Sequence, residues 1–208
     1  MSEISASLIK ELRQMTGAGM MDCKKALEET DGDISKAVDF LRKTGIAKAE
    51  KRSGRDTTDG VIASYIHPGS KLGVILEVNC ETDFVAGTEE FTRFVKDVAM
   101  HVAATSPIVV RREDMPQSTM DHEKEIYLEQ ARQSGKPDNI LEKIVVGRLD
   151  KFLAENVLLE QAFVKDPEKT IGAYLQETIA KLGENITIAR FTRYQLGEDT
   201  ISGPVNSP

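Results

Sequence analysis

Apolar residues recur over the first 45 positions at three-four spacing, in short runs separated by glycine turns. Ile4, Leu8, Leu12 and Met15 mark the stripe of a first helix, with Ser2 or Ser5 as a cap whose hydroxyl accepts a free N–H. Gly17-Ala18-Gly19 ends it. Asp22 is expected to open a second helix carrying Cys23, Ala26 and Leu27, and Asp31-Gly32 turns the chain again. Asp33 caps a third, with Ile34, Ala37, Val38 and Leu41 inward and Gly45 at its exit, where left-handed backbone costs glycine little. A module this small buries little surface by itself, so it is expected to dock on something. Residues 46–59 are charged and polar and read as a helical extension followed by a linker.

From Val61 the period becomes two. Val61 to Ile66 and Leu72 to Val78 flank His67-Pro68-Gly69-Ser70, the pattern of a β-hairpin. The second strand runs into Cys80-Glu81-Thr82-Asp83-Phe84-Val85-Ala86, read as a strand exit and loop. Thr88 then caps a strongly amphipathic helix with Phe91, Phe94, Val95, Val98 and Val102 on its buried face. Ser106-Pro107 stops that helix, and Ile108 to Val110 is a short strand or an extended connection. Residues 118–153 pattern as a helical hairpin turning at Gly135-Lys136-Pro137. Leu141, Val145, Leu149 and Phe152 form the seam of its second arm, while Tyr127, Leu128 and Ala131 give the first a thinner one, so the hairpin should project and be comparatively mobile. Thr170 caps a helix bearing Ile171, Leu175, Ile179 and Leu182, and Ile186 to Leu196 closes the fold as a strand with Arg190 and Arg193 on opposite faces. Thr200 to Pro208 reads as a disordered tail. The fold class is α+β: three N-terminal helices, then a small antiparallel sheet packed with helices, with the hairpin protruding. The expected division is 1–54, a core from 55–117 and 154–199, the hairpin 118–153 within that core, and the tail 200–208.

Composition narrows the chemistry. The 208 residues carry a net charge of −7, which argues against a chain that coats nucleic acid, although Lys48, Lys51, Arg52 and Arg55 form a local basic run. No apolar run approaches the roughly 20 residues that span a bilayer, and the start is neither basic nor apolar enough for an export signal, so the cytoplasm is expected. Cys23 and Cys80 sit in apolar patterns without a CxxC spacing and read as reduced packing residues. His67, His101 and His122 fall in unrelated elements with no zinc spacing, and Gly17-Ala18-Gly19 lacks the Lys-Ser/Thr of a phosphate loop. No catalytic group, cofactor or metal site is therefore expected.

The corner at 80–86 remains. Glu81 and Asp83 would share one strand face roughly 7 Å apart if the strand continued, an acid pair that could hold a metal or act in catalysis, but with no further ligand nearby. Asp83 and Phe84 together present a charge and a ring, an arrangement better suited to prying open a partner's site. Phe84 could instead be a core residue of the following helix, and Met20 and Met21 could be ordinary packing.

With these residues in view, the chain resembles bacterial elongation factor Ts. The resemblance is carried by Ile4 to Leu27, with Met15-Thr-Gly-Ala-Gly-Met-Met-Asp-Cys-Lys-Lys-Ala-Leu27, and by Gly73 to Ala86. Val98-Ala-Met-His-Val-Ala-Ala104, Ser134-Gly-Lys-Pro137, Phe163-Val164 and Lys169-Thr-Ile-Gly172 extend it. It implies a non-enzymatic guanine-nucleotide exchange factor for elongation factor Tu, with a ubiquitin-associated-like N-terminal module. Thr82, Asp83, Phe84 and Val85 would intrude beside the partner's nucleotide site and displace its Mg²⁺, and Leu12, Met20 and Met21 would belong to the docking surface. The hairpin would reach a more distant part of the partner. Longer members carry a second core subdomain after the Thr-Asp-Phe-Val-Ala segment, whereas here the next helix follows almost at once. A single small sheet needs covering, so a homodimer giving a 2:2 complex is expected. Asp97 stands where some longer members have a partner-contacting histidine, and that role does not transfer. Two other classes stay open: a ubiquitin-associated-type binding protein, and a hydrolase or transferase built on Glu81 and Asp83.

Overall fold

The computed structural model describes residues 4–133 and 137–198. Helices α1 (Ala6–Thr16), α2 (Met20–Glu29) and α3 (Ile34–Glu50) come first, followed by strands β1 (Asp59–Ile66) and β2 (Leu72–Cys80). A one-turn helix α4 (Asp83–Ala86) leads into α5 (Glu89–Thr105), then the long arms α6 (Gln117–Arg132) and α7 (Asp138–Asn156). A short hairpin β3 (Ala162–Phe163) and β4 (Asp166–Thr170), helix α8 (Ile171–Leu182) and strand β5 (Ile186–Gln195) complete the order.

The first three helices close on Leu12, Cys23, Ala26, Leu27 and Ala37. Ser5 caps α1 by accepting the Leu8 N–H at 3.3 Å, and Asp33 caps α3 through the Lys36 N–H at 3.0 Å. Three local expectations need correction. Met15 is exposed rather than part of the buried stripe, because α1 turns its seam toward Leu8, Ile9 and Leu12. Helix α2 starts at Met20, ahead of Asp22, with extended Gly19 as an N-cap that makes no side-chain bond. Helix α3 runs through Gly45 to Glu50. Gly45 serves close approach instead of an exit, since a Cβ there would stand 3.3 Å from the Ala180 Cβ of α8.

The main sheet has order β1-β2-β5, antiparallel throughout, with a register that aligns Ser64, Ile75 and Thr192 and an irregularity between Glu77 and Val78. Period-two alternation puts Val74, Leu76, Val78, Cys80, Ile186 and Ile188 on one buried face. Helices α5 and α8 cover that face through Phe91, Phe94, Val98, Ile171 and Ile179. Each fully buried phenylalanine there contributes about 2–3 kcal/mol. Thr88 and Thr170 cap these two helices by accepting N–H bonds from Phe91 and Ala173. The opposite sheet face is open, with Ile62, Ile66, Ile75 and Tyr194 exposed on it and Arg190 reaching Glu77 at 2.7 Å.

Helices α6 and α7 pack through Ala131, Leu141 and Val145, with Tyr127, Leu128 and Leu149 partly buried beside them. A second cluster of Val109, Met115, Leu153 and Val157 closes their base. Ile108 to Val110 is an extended connection with a single parallel bridge from Val109 to Val157. Ser2, the turn residues Gly135 and Lys136, and the tail from Thr200 lie outside the described residues. Among the described residues no helix is long and apolar enough to cross a membrane.

Candidate functional site

Strand β2 ends on buried Cys80, whose thiol donates to the Thr82 carbonyl oxygen at 3.1 Å. Burial pushes that thiol's pKa up, with the nearby Glu184 carboxylate adding to it, so it stays protonated and can donate. Thr82 is extended and caps α4, its hydroxyl accepting the Val85 N–H at 3.4 Å. Gly87 closes the turn onto the Asp83 carbonyl at 3.0 Å, and Thr88 bonds Val85 at 3.0 Å before capping α5. One helical turn thus stands between two threonine caps. Its residues rotate by about 100° each, which sends Val85 into the core at 5% exposure and leaves Asp83 and Phe84 outside. Phe84 is 81% exposed, the most exposed large apolar side chain among the described residues.

This placement sorts the expected corner residues. Phe84 is not a core residue of the next helix. Val85 is an anchor with almost all of its surface buried, and Thr82 is the cap. The proposed Glu81–Asp83 pair does not form on one strand face, because β2 ends at Cys80 and Asp83 begins a helix. Glu81 instead accepts the Asn185 backbone N–H at 2.6 Å and lies 3.4 Å from Arg55.

A second exposed group surrounds the Gly17-Ala18-Gly19 turn. Met15, Met20 and Met21 are all exposed there, Met21 at 75%, so neither Met20 nor Met21 is a packing residue. Leu12 is fully buried in the helical core and supports this surface from beneath. Met15 was missed as a surface residue; its position beside the methionine pair across a double-glycine turn was the available signal.

The ionisable groups buried near the core are held by internal hydrogen bonds. Asp97 is 9% exposed and accepts bonds from Lys165 Nζ at 2.6 Å and the Tyr174 hydroxyl at 3.1 Å. Burial, with the Asp97 charge, pushes the Tyr174 phenol far above its ordinary range. His101 is fully buried, its Nδ1 accepting the Val164 N–H at 3.3 Å and its Nε2 bonded to Gln161 at 3.0 Å. Burial lowers its pKa and keeps the ring neutral. No group of three or more His, Cys, Asp or Glu side chains converges among the described residues. A groove of about 580 Å³ lies between the α1–α2 turn, α3 and α8. Its lysines are already committed, Lys181 to Glu90 at 2.6 Å and Lys169 to Glu177 at 2.9 Å.

Comparison with known proteins matches the chain to one family over most of its length. The model of the family described as elongation factor TS matches residues 6–198. The chain is 60% identical over 195 residues to elongation factor Ts of Geotalea daltonii, covering 94% of this chain and 90% of that protein. It is 57% identical over 195 residues to that of Geobacter sulfurreducens, with the same coverage. It is also 57% identical over 198 residues to that of Desulfosudis oleivorans, covering 95% of this chain and all of the relative.

Proposed function

The chain belongs to the elongation factor Ts family, and we propose that it promotes guanine-nucleotide exchange on elongation factor Tu by wedging, with no chemistry of its own. One observation carries the mechanism: Phe84 stands 81% exposed on a turn whose neighbours Thr82 and Val85 are fixed. Burying that ring against a partner is worth about 2 kcal/mol. Asp83 beside it can accept hydrogen bonds from donors released at the partner's nucleotide site. Bound Mg²⁺ neutralises phosphate charge, so disturbing its coordination geometry weakens GDP binding sharply. The coupling is reciprocal: the factor by which this chain weakens GDP is the factor by which GDP weakens this chain.

Met15, Met20 and Met21 form the docking surface of the N-terminal helices, flexible thioethers that adapt to a partner's shape. The open sheet face is covered by a second copy, giving a homodimer and a 2:2 complex. Exposed Ile62, Ile66, Ile75 and Tyr194 support that cover. The helical hairpin reaches a second region of the partner, and the factor works in the cytoplasm. The test is release of a fluorescent GDP analogue from elongation factor Tu: added chain accelerates it, and an unchanged release rate would refute the reading.

A further inference from the structure

The exposed turn is held from a distance of about a hundred residues. Glu184 receives two bonds from Thr82, the backbone N–H at 3.1 Å on Oε2 and the hydroxyl at 2.7 Å on Oε1. A hydroxyl has one proton and two lone pairs. With its proton committed to Glu184, the Thr82 oxygen keeps a lone pair aimed at the Val85 N–H it caps. Glu184 therefore sets the rotamer on which the α4 cap depends. The adjacent Asn185 completes the attachment from the other side. Its N–H donates to Glu81 at 2.6 Å, and its side-chain Nδ2 donates to the Arg55 carbonyl at 2.7 Å, just past the exit of α3. Left-handed Gly183 ends α8 and turns the 184–185 segment toward the corner.

These bonds tie three things together: the turn bearing Phe84, the start of β5, and the segment that carries the N-terminal helices. We infer that Glu184 is a positioning residue for exchange. Through Thr82 it orients the Phe84 turn relative to the methionine surface, so that both meet one partner in a single register. The inference rests on the exchange reading given above. Preorganisation of this kind acts on the step that needs exact placement and leaves docking by the methionine surface largely unaffected.

The test measures GDP-analogue release from elongation factor Tu across a range of chain concentrations, for wild type, Glu184→Ala, Glu184→Gln, Thr82→Val and the Glu184→Ala/Thr82→Val double variant. The maximal release rate should fall on the order of tenfold in Glu184→Ala, the loss expected of a charge-assisted hydrogen bond. The half-saturating concentration should stay within about twofold, and the melting temperature should fall by no more than about 6 °C, the share of the same lost bond in folding. Glu184→Gln retains one acceptor at the same size and should lie between wild type and Glu184→Ala. The double variant should be no slower than the slower single one, because both changes remove the same tie. A wild-type maximal rate in Glu184→Ala, additive losses in the double variant, or a loss confined to half-saturation and melting temperature would overturn the inference alone. No acceleration by the wild type would overturn the exchange reading and this inference with it.

Discussion

Truncating Val85 to alanine removes two methyl groups from a side chain that packs into the main core at 5% exposure. At about 0.8 kcal/mol per buried methylene the transfer loss is about 1.6 kcal/mol. A residual void of roughly 25 Å³ adds about 0.6 kcal/mol at about 24 cal/mol per Å³. The sum is about 2 kcal/mol, which lowers the melting temperature of a chain this size by about 4–8 °C. Phe84→Ala deletes a larger side chain one residue away, yet it stands 81% exposed, so its effect on folding should stay within about 0.5 kcal/mol. Urea denaturation followed by circular dichroism, at a fixed protomer concentration, compares the two variants with the wild type. The prediction is a lower midpoint for Val85→Ala and an unchanged one for Phe84→Ala. Equal shifts, or a larger shift for Phe84→Ala, would refute the assignment of anchor and exposed ring.

Three further outcomes follow from the same geometry. Gly45→Val forces a branched side chain toward the Ala180 Cβ, where even one Cβ would sit at 3.3 Å, and should destabilise by about 1–3 kcal/mol in the same denaturation assay. His101 has its pKa depressed by burial, so below about pH 6.5 the unfolded chain binds a proton that the native state refuses. Stability should therefore fall as pH drops through about 6.5, by about 1.4 kcal/mol one unit lower if the native ring stays neutral; urea midpoints at pH 7.5 and 5.5 should show a steeper loss for wild type than for His101→Gln, and parallel losses would count against it. Ile75→Glu puts a charge at the centre of the open sheet face, opposite Ser64 and Thr192, and sedimentation should register a monomer where the wild type sediments as a dimer; a wild type that is strictly monomeric, free and with its partner, sinks the dimer.

Much of this fold was legible in the residues because its signals were local. The β1–β2 hairpin follows from alternation on both sides of His67-Pro68-Gly69-Ser70, and α5 and α8 from threonines that cap them as written. A helical extension past Gly45 was legible. Gly45 itself read as an exit because it stands near the end of a pattern, whereas it sits inside α3 and makes contact with α8, which no local window contains. The β3–β4 hairpin went unseen because Ala162–Phe163 is two residues long and Asp166–Thr170 is polar without alternation. At the corner the sequence showed an acid beside a ring, but the division of labour among Thr82, Asp83, Phe84 and Val85 depends on one helical turn too short to leave a periodic trace. The Glu184 tie joins positions 102 residues apart, and nothing in a single chain's pattern points from one to the other.

The central claim is that the Phe84 turn is the wedge that loosens GDP from elongation factor Tu. It is tested most directly by the rate of GDP-analogue release at saturating concentrations of wild type, Phe84→Ala and Asp83→Ala. If insertion of the ring supplies about 2 kcal/mol, Phe84→Ala should release GDP about thirtyfold more slowly than wild type, with Asp83→Ala also slower. Release at the wild-type rate by both variants would contradict the account.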